Sequence, residues 1–263
     1  MIMNRIVFLG TGSAFSLTRQ MTSIVLIYDG RAVMVDCGDG MGTVRNLYKA
    51  NIPLNSVNDI FFTHKHADHI SGISQFMFCK LFKDPDAKVR ICGSRENLPA
   101  IKRFIFDTHD FVKAREKQIA FVITSPRQEL EYYHLMRVKT TKVTENNEID
   151  SPCYAYSFIY KGTTIVYSGD MSPNRAFERL SYGCSIMIHE CNGLDKDKDM
   201  VHQAGHSTAR EAGVAADRSR AKHLILTHLR DESDVASDSL KNEAGRYFPG
   251  KITVVQDLME IPF

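Results

Sequence analysis

Several features are missing from this chain, and each absence removes a class of explanation. No window is long and apolar enough to cross a bilayer, and the amino terminus reaches a turn at Gly10 too early for the apolar core of a signal peptide. None of the six cysteines (Cys37, Cys79, Cys92, Cys153, Cys184 and Cys191) forms a C-x-x-C pair. That argues against cysteine-held zinc and for reduced thiols filling the core of a cytoplasmic protein. Strong charge is missing too: the formal net charge is +2, so bulk electrostatics predicts no nucleic-acid binder, while a local basic patch stays open. There is no repeat of solenoid period, no low-complexity tract and no linker. What is present is an ordinary globular composition, 43% hydrophobic and 24% charged over 263 residues, which suits one large α/β domain spanning 1–263.

Short apolar runs bounded by turn residues read as strands. In the first half these are Ile6–Leu9, Ser23–Tyr28, Ala32–Asp36, Asp59–Thr63 and Lys88–Cys92, with Asp29-Gly30 as a hairpin turn. The second half offers Met136–Val143, Tyr154–Tyr160, Thr163–Ser168, Ser185–His189, Leu224–Thr227 and Ile252–Val255. Ile70, Ile73, Phe76, Met77 and Leu81 fall at helical spacing, and Arg95–Gln118 reads as helical, giving a helical insert around 76–118. A helix is expected over Pro173–Tyr182 with Ser172 as its N-cap, and another after Thr208, where Glu211 completes a capping-box spacing. Strand-rich halves each followed by helices suit two sheets with helices outside.

The chemistry concentrates in His64-Lys65-His66-Ala67-Asp68-His69, directly after the apolar run Ile60-Phe61-Phe62. Residues two apart in extended chain point the same way, so His64 and His66 converge, and Asp68 and His69 turn back toward them as a helix begins. Three imidazoles and a carboxylate in so short a run suit a divalent cation such as Zn²⁺, with Mn²⁺ or Fe as further options. A solvated polar loop is the bland reading, and the preceding strand argues against it. Asp170 and His228 each end an apolar strand (Val166–Asp170 and Leu224–His228), and either one alone is more often structural. Together with the histidine-rich run they form a set of strand-end ligands.

These residues carry a resemblance. His64–His69, Ser168-Gly169-Asp170 and Leu226-Thr227-His228 resemble the metallo-β-lactamase superfamily. Phe8–Ala14, Val35–Gly40, His189-Glu190 and Gly205–Ala209 resemble its tRNase Z-like branch of ribonucleases and phosphodiesterases. The resemblance implies a four-layer αββα sandwich with two divalent metal ions at one edge of the sheets. His64 and His66 would hold the first ion, Asp68, His69 and His228 the second, and Asp170 would bridge them. Asp36 would orient ligands without touching metal. Two divalent cations bring the pKa of bound water toward neutrality, which yields a metal-bound hydroxide for attack on a phosphodiester, with Asp68 taking or steering the proton. His206 would then protonate the leaving oxygen as general acid, with Glu190 holding its imidazole. The competing reading of His206 is a residue that merely completes the first turn of its helix.

Two departures from the family pattern matter. A family histidine is absent near Thr144, so the first site would bind weakly or favour Mn²⁺ unless Glu145, Glu148 or Asp150 replaces it; His134 lies too early. The long Gly/Pro-rich arm that grips tRNA is also missing, since Tyr160 leads through Lys161-Gly162 straight into Thr163, and Leu229-Arg230-Asp231 lacks the usual serine after the histidine. The expected substrate is therefore a small phosphodiester or short nucleic acid, with no membrane partner and a homodimer by analogy with relatives. Two alternatives stand beside it: a lactone, thioester or β-lactam hydrolase on the same fold, and a degenerate non-catalytic binding module.

Overall fold

The computed structural model describes residues 3–126, 129–132, 136–143, 151–232 and 235–263. The chain divides into two compact units, residues 1–123 with 256–263, and residues 124–255. In the amino-terminal unit the strands are β1 (Arg5–Gly10), β2 (Ser23–Tyr28), β3 (Arg31–Val35), β4 (Val57–Phe61), β5 (Val89–Gly93) and β6 (Ile119–Ile123). The closing strand Glu260–Pro262 lies beside β1, and the sheet then runs β1-β2-β3-β4-β5-β6. The first three strands pair antiparallel, whereas β3 through β6 are parallel neighbours. The Asp29-Gly30 turn between β2 and β3 has both residues at positive φ (45° and 74°), the twist that a two-residue hairpin requires.

Helices α1 (Gly40–Lys49), α2 (Ala67–Ile70), α3 (Ile73–Lys83), α4 (Leu98–Thr108) and α5 (Asp110–Lys113) accompany this sheet. A single core of Leu9, Val25, Met34, Ile60, Phe62, Phe76, Ile91 and Ile105, all buried, joins strands to helices. Sequence periodicity runs Arg95–Gln118 together as helical, but the helix breaks at His109, whose extended backbone (φ −147°, ψ 107°) separates α4 from α5. Nor is 76–118 purely helical, since β5 is hydrogen-bonded into the sheet between β4 and β6.

The carboxy-terminal unit contains β7 (Leu130–Tyr132), β8 (Met136–Lys142), β9 (Tyr154–Tyr160), β10 (Thr163–Tyr167), β11 (Ile186–Glu190), β12 (His223–Thr227) and β13 (Lys251–Val254). They form one sheet in the order β13-β12-β11-β10-β9-β8-β7, parallel from β13 to β10 and antiparallel beyond. β9 turns into β10 through Lys161 and Gly162 alone, with Tyr160 opposite Thr163 and both turn residues at positive φ (45° and 83°). Helices α6 (Arg175–Leu180), α7 (Lys198–Gln203), α8 (Ala209–Arg218) and α9 (Ser237–Gly245) complete the unit. The capping box of Thr208 and Glu211 is present at the start of α8. The cap of α6 is Asn174 rather than Ser172: its side-chain oxygen accepts from the amides of Ala176 (2.8 Å) and Phe177 (3.2 Å). Ser172 is instead turned toward the carbonyl of His206. Among the described residues no helix is long and apolar enough to cross a membrane.

Candidate metal centre and proton donor

Each unit carries one group of the expected site residues. In the amino-terminal unit the parallel strand β4 ends at Phe61, and the chain continues extended through His64 and His66 before α2 starts at Ala67. His64 Nε2 and His66 Nδ1 are 2.9 Å apart, the separation of two donors at right angles on an ion with bonds of about 2.05 Å. Asp68 Oδ2 lies 3.5 Å from His69 Nε2, close to the roughly 3.4 Å edge of a tetrahedral zinc shell. His64, Asp68 and His69 are buried and His66 is exposed, so the run presents an edge open on one side.

Asp36 sets the chemistry of this run. It follows β3 with left-handed backbone (φ 56°), a conformation that non-glycine residues hold only where the surroundings enforce it. Its buried carboxylate accepts hydrogen bonds from the Thr63 amide (2.9 Å), the Thr63 hydroxyl (2.8 Å) and His69 Nδ1 (2.8 Å). A proton held on Nδ1 leaves Nε2 of His69 with its lone pair, the tautomer a metal needs. The Thr63 hydroxyl also lies 3.0 Å from His64 Nδ1, so one threonine links the carboxylate to a second ligand candidate. Thr63 was not anticipated from the sequence. The residue between an apolar strand and a histidine run is where a hydroxyl can reach both. The donor types, their spacing and the fixed tautomer all fit a divalent cation.

Sulfur ligation does not compete. All six cysteines are free, and burial, reinforced by Asp36 and Asp39, pushes the Cys37 thiol far up from its ordinary range. Cys191 is pushed up by burial and by the neighbouring Glu190. Buried neutral thiols of this kind are core filler.

In the carboxy-terminal unit the group is gathered from four places. Asp170 follows β10 through Gly169 (φ 60°), Glu190 closes β11, His206 precedes α8, and His228 follows β12 with left-handed backbone (φ 56°). His228 Nε2 sits 3.4 Å from Asp170 Oδ1, again a tetrahedral ligand edge. Donor atoms of Glu190, His206 and His228 lie within 4.8 Å of one another, and the rings of His206 and His228 are 5.0 Å apart. His206 Nδ1 lies 3.2 Å from Glu190 Oε1, which also accepts from the amides of Ser207 (2.9 Å) and Met171 (3.1 Å). Glu190 is 0% exposed, so its charge acts on the imidazole without screening by solvent. That contact places the Glu190 carboxylate against the His206 imidazole. The donors Ser207 and Met171 were not legible in the sequence, because each acts through its backbone.

His189, one residue before Glu190, points the other way along the strand. Burial lowers its pKa, and its Nδ1 lies 2.6 Å from the Glu190 carbonyl. It packs edge-on against Phe177 and belongs to the core. Thr144, Glu145, Glu148, Asp150 and His134, weighed as replacements for the absent histidine, lie outside the described residues.

The chain is 26% identical to a ribonuclease Z of Archaeoglobus fulgidus, covering 98% of this chain and 97% of that protein. It is 28% identical to a ribonuclease Z of Methanothermobacter thermautotrophicus over 98% and 96% of the two chains. Among solved structures, the metallo-β-lactamase fold protein YhfI of Bacillus subtilis superposes with a TM-score of 0.80 at 22% identity, covering 98% of this chain and 99% of that one. The short form of human tRNase Z superposes with a TM-score of 0.77 at 24% identity, over 98% of both chains. The fold is therefore the mixed α/β metallo-β-lactamase fold, and the chain is a metal-dependent hydrolase similar to ribonucleases Z over nearly its whole length. Matched by the family model described as anti-Pycsar protein Apyc1 over residues 4–241, the chain belongs to that family.

Proposed function

We propose that the protein is a metal-dependent phosphodiesterase that acts on a small phosphodiester. The observation that carries this reading is the pairing of His206 with the fully buried Glu190. Esters with alkoxide leaving groups need a proton at the departing oxygen, and an imidazole held by a buried carboxylate is placed to supply one. Hydrolysis of an activated lactone or β-lactam has far less need of such an acid.

In this reading His64, His66 and Asp170 hold one divalent cation, and Asp68, His69 and His228 hold a second, with Asp170 shared. When bound, the cations supply Lewis acidity toward water and toward the phosphoryl oxygens. Asp36 fixes the His69 tautomer, Asp68 accepts or steers the proton leaving the nucleophile, and Glu190 orients His206. Zinc is the proposed metal for the second site. The first, lacking the family histidine, favours a harder ion such as Mn²⁺, which accepts oxygen ligands. The two-residue turn between β9 and β10 supports a small substrate, since a tRNA-gripping arm has no place there. Six free cysteines support a reducing compartment, the cytoplasm, and a homodimer is proposed by analogy alone.

The test joins metal content with hydrolysis of bis(p-nitrophenyl) phosphate and of an unactivated alkyl diester, in Zn²⁺ and in Mn²⁺. His206→Ala is expected to slow the alkyl diester by about 10²-fold or more and the activated ester much less, with metal content unchanged. Equal loss on both substrates would remove the general-acid role. Bound metal without cleavage of either diester would reject the phosphodiesterase reading.

A further inference from the structure

One face of α8, made by Arg210, Glu211, Val214, Ala215 and Arg218 at helical spacing, lines a cavity of about 240 Å³ in the carboxy-terminal unit. Its floor is the edge of His189, a ring only 1% exposed. The Nδ1 of this ring lies 2.6 Å from the Glu190 carbonyl, which can only accept, so the proton sits on Nδ1. Burial lowers the pKa of the imidazole and favours its neutral form. Nε2 then carries a lone pair, and among the described residues it has no hydrogen-bond partner. A buried acceptor of this kind gains from any occupant that brings an N–H to it.

Charge around the cavity is balanced and layered. Three ion pairs border it: Glu178 with Arg218 (3.1 Å), Asp195 with Arg210 (2.9 Å), and Glu211 with Lys198 (3.6 Å). Glu211 is bonded to His202 Nε2 as well (2.8 Å). In each pair the carboxylate is the more buried partner, at 22% against 63% exposed, 30% against 44%, and 13% against 45%. The acids therefore lie deeper and the cations nearer to solvent. An entering anion would meet the His189 lone pair and three carboxylates, and a simple cation would have to pass three positive groups. A molecule with both charges, ammonium inward and carboxylate outward, meets the opposite sign at each end. Between the charged positions of α8, Val214 and Ala215 offer an apolar wall.

We infer that this cavity binds a small aliphatic α-amino acid, its ammonium toward His189 and its carboxylate toward Arg210 and Arg218. Among the described residues, none of the lining groups belongs to a set of converging metal donors, so the site is separate from the proposed metal centre. The occupant is held and not hydrolysed, an effector in place of a substrate. Its place gives it leverage on the acid pair, because His189 precedes Glu190, and Ser207, which also lines the cavity, follows His206. Binding at this site does not depend on the phosphodiesterase reading.

The test is calorimetric titration of the full chain with L-valine, with isobutylamine, which lacks the carboxylate, and with isovalerate, which lacks the ammonium. Valine is expected to bind about tenfold or more tightly than either half. His189→Phe, which keeps a ring beside Phe177, and Arg210→Gln should each weaken valine about tenfold. Val214→Phe, which plugs the cavity, should abolish binding, and the melting temperature of each variant checks that it is folded. Isobutylamine binding as tightly as valine would overturn the inference in favour of a cation site, and isovalerate doing so would overturn it in favour of an anion site. No heat with valine in millimolar excess would overturn it outright. Valine affinity unchanged in folded Arg210→Gln and Val214→Phe would overturn the location.

Discussion

The two units use one device for two ends. In the amino-terminal unit a buried carboxylate, Asp36, accepts from a backbone amide, a hydroxyl and the Nδ1 of an imidazole. Glu190 in the carboxy-terminal unit accepts from two backbone amides and the Nδ1 of an imidazole. The difference lies in what each imidazole is for. In the proposed reading His69 offers Nε2 to a metal, whereas His206, beside the Glu190 carboxylate, is the proton donor. The two also differ in how they are assembled: His64–His69 is contiguous, while Asp170, Glu190, His206 and His228 come from four separated segments. A contiguous run is held by local geometry, and a dispersed one by the whole sheet.

That contrast can be broken most sharply at Asp36. Asp36→Ala strands three buried donors and frees the His69 tautomer. Metal affinity should fall by about 10- to 100-fold, and unfolding free energy by about 3 kcal/mol. Chelator competition and urea denaturation check both. Metal affinity equal to wild type would show that the run needs no anchor, and the parallel with Glu190 would fail. His206→Ala is the opposite case, costing rate and leaving metal content alone.

A smaller effect probes the dispersed group through its scaffold. Gly213 faces α9 so closely that a Cβ would lie 2.5 Å from the Ala244 carbonyl oxygen. Gly213→Ala should therefore push α8 from α9 and lower stability by about 2 kcal/mol. Thermal denaturation reads the change, and activity per folded molecule should stay near wild type if the displacement stops short of His206.

An effect of similar size is pH-dependent. His223, at the start of β12, has its pKa lowered to about 4, first by burial and then by the positive charge of Lys251. The unfolded chain takes up a proton near pH 6.5 and the folded chain does so only near 4. Stability is therefore complete above 6.5 and declines as pH falls through that window, by about 2 kcal/mol. Urea midpoints from pH 7 to 4 measure it, and His223→Gln should flatten the slope. An equal slope in the variant would place the acid sensitivity elsewhere.

Legibility from sequence followed the same division. The strand Ser23–Tyr28, the Asp29-Gly30 hairpin and the metal run are readable because each is encoded by neighbouring residues. The Thr208–Glu211 cap is readable for that reason too. Helix α1 was not recognised, because Gly40, Gly42 and Asn46 weaken its periodicity, and it forms against the core through Val44 and Leu47. β6 was not recognised, since its identity comes from pairing with β5. At the site, residue types and strand ends were visible in the sequence. The backbone donors to Glu190, the Thr63 bridge and the left-handed conformations of Asp36 and His228 arise only when distant segments meet.

The Lys161-Gly162 turn has a consequence for engineering. Both residues are exposed and in left-handed conformations, so the turn joins β9 to β10 without taking part in any buried packing. Lengthening such a turn costs only about 0.6 kcal/mol per doubling of loop length. It is therefore a natural graft point, where a polymer-gripping module from another protein can be spliced in. Substrate reach in this scaffold becomes a separable cassette, exchangeable without rewriting the residues that break the bond.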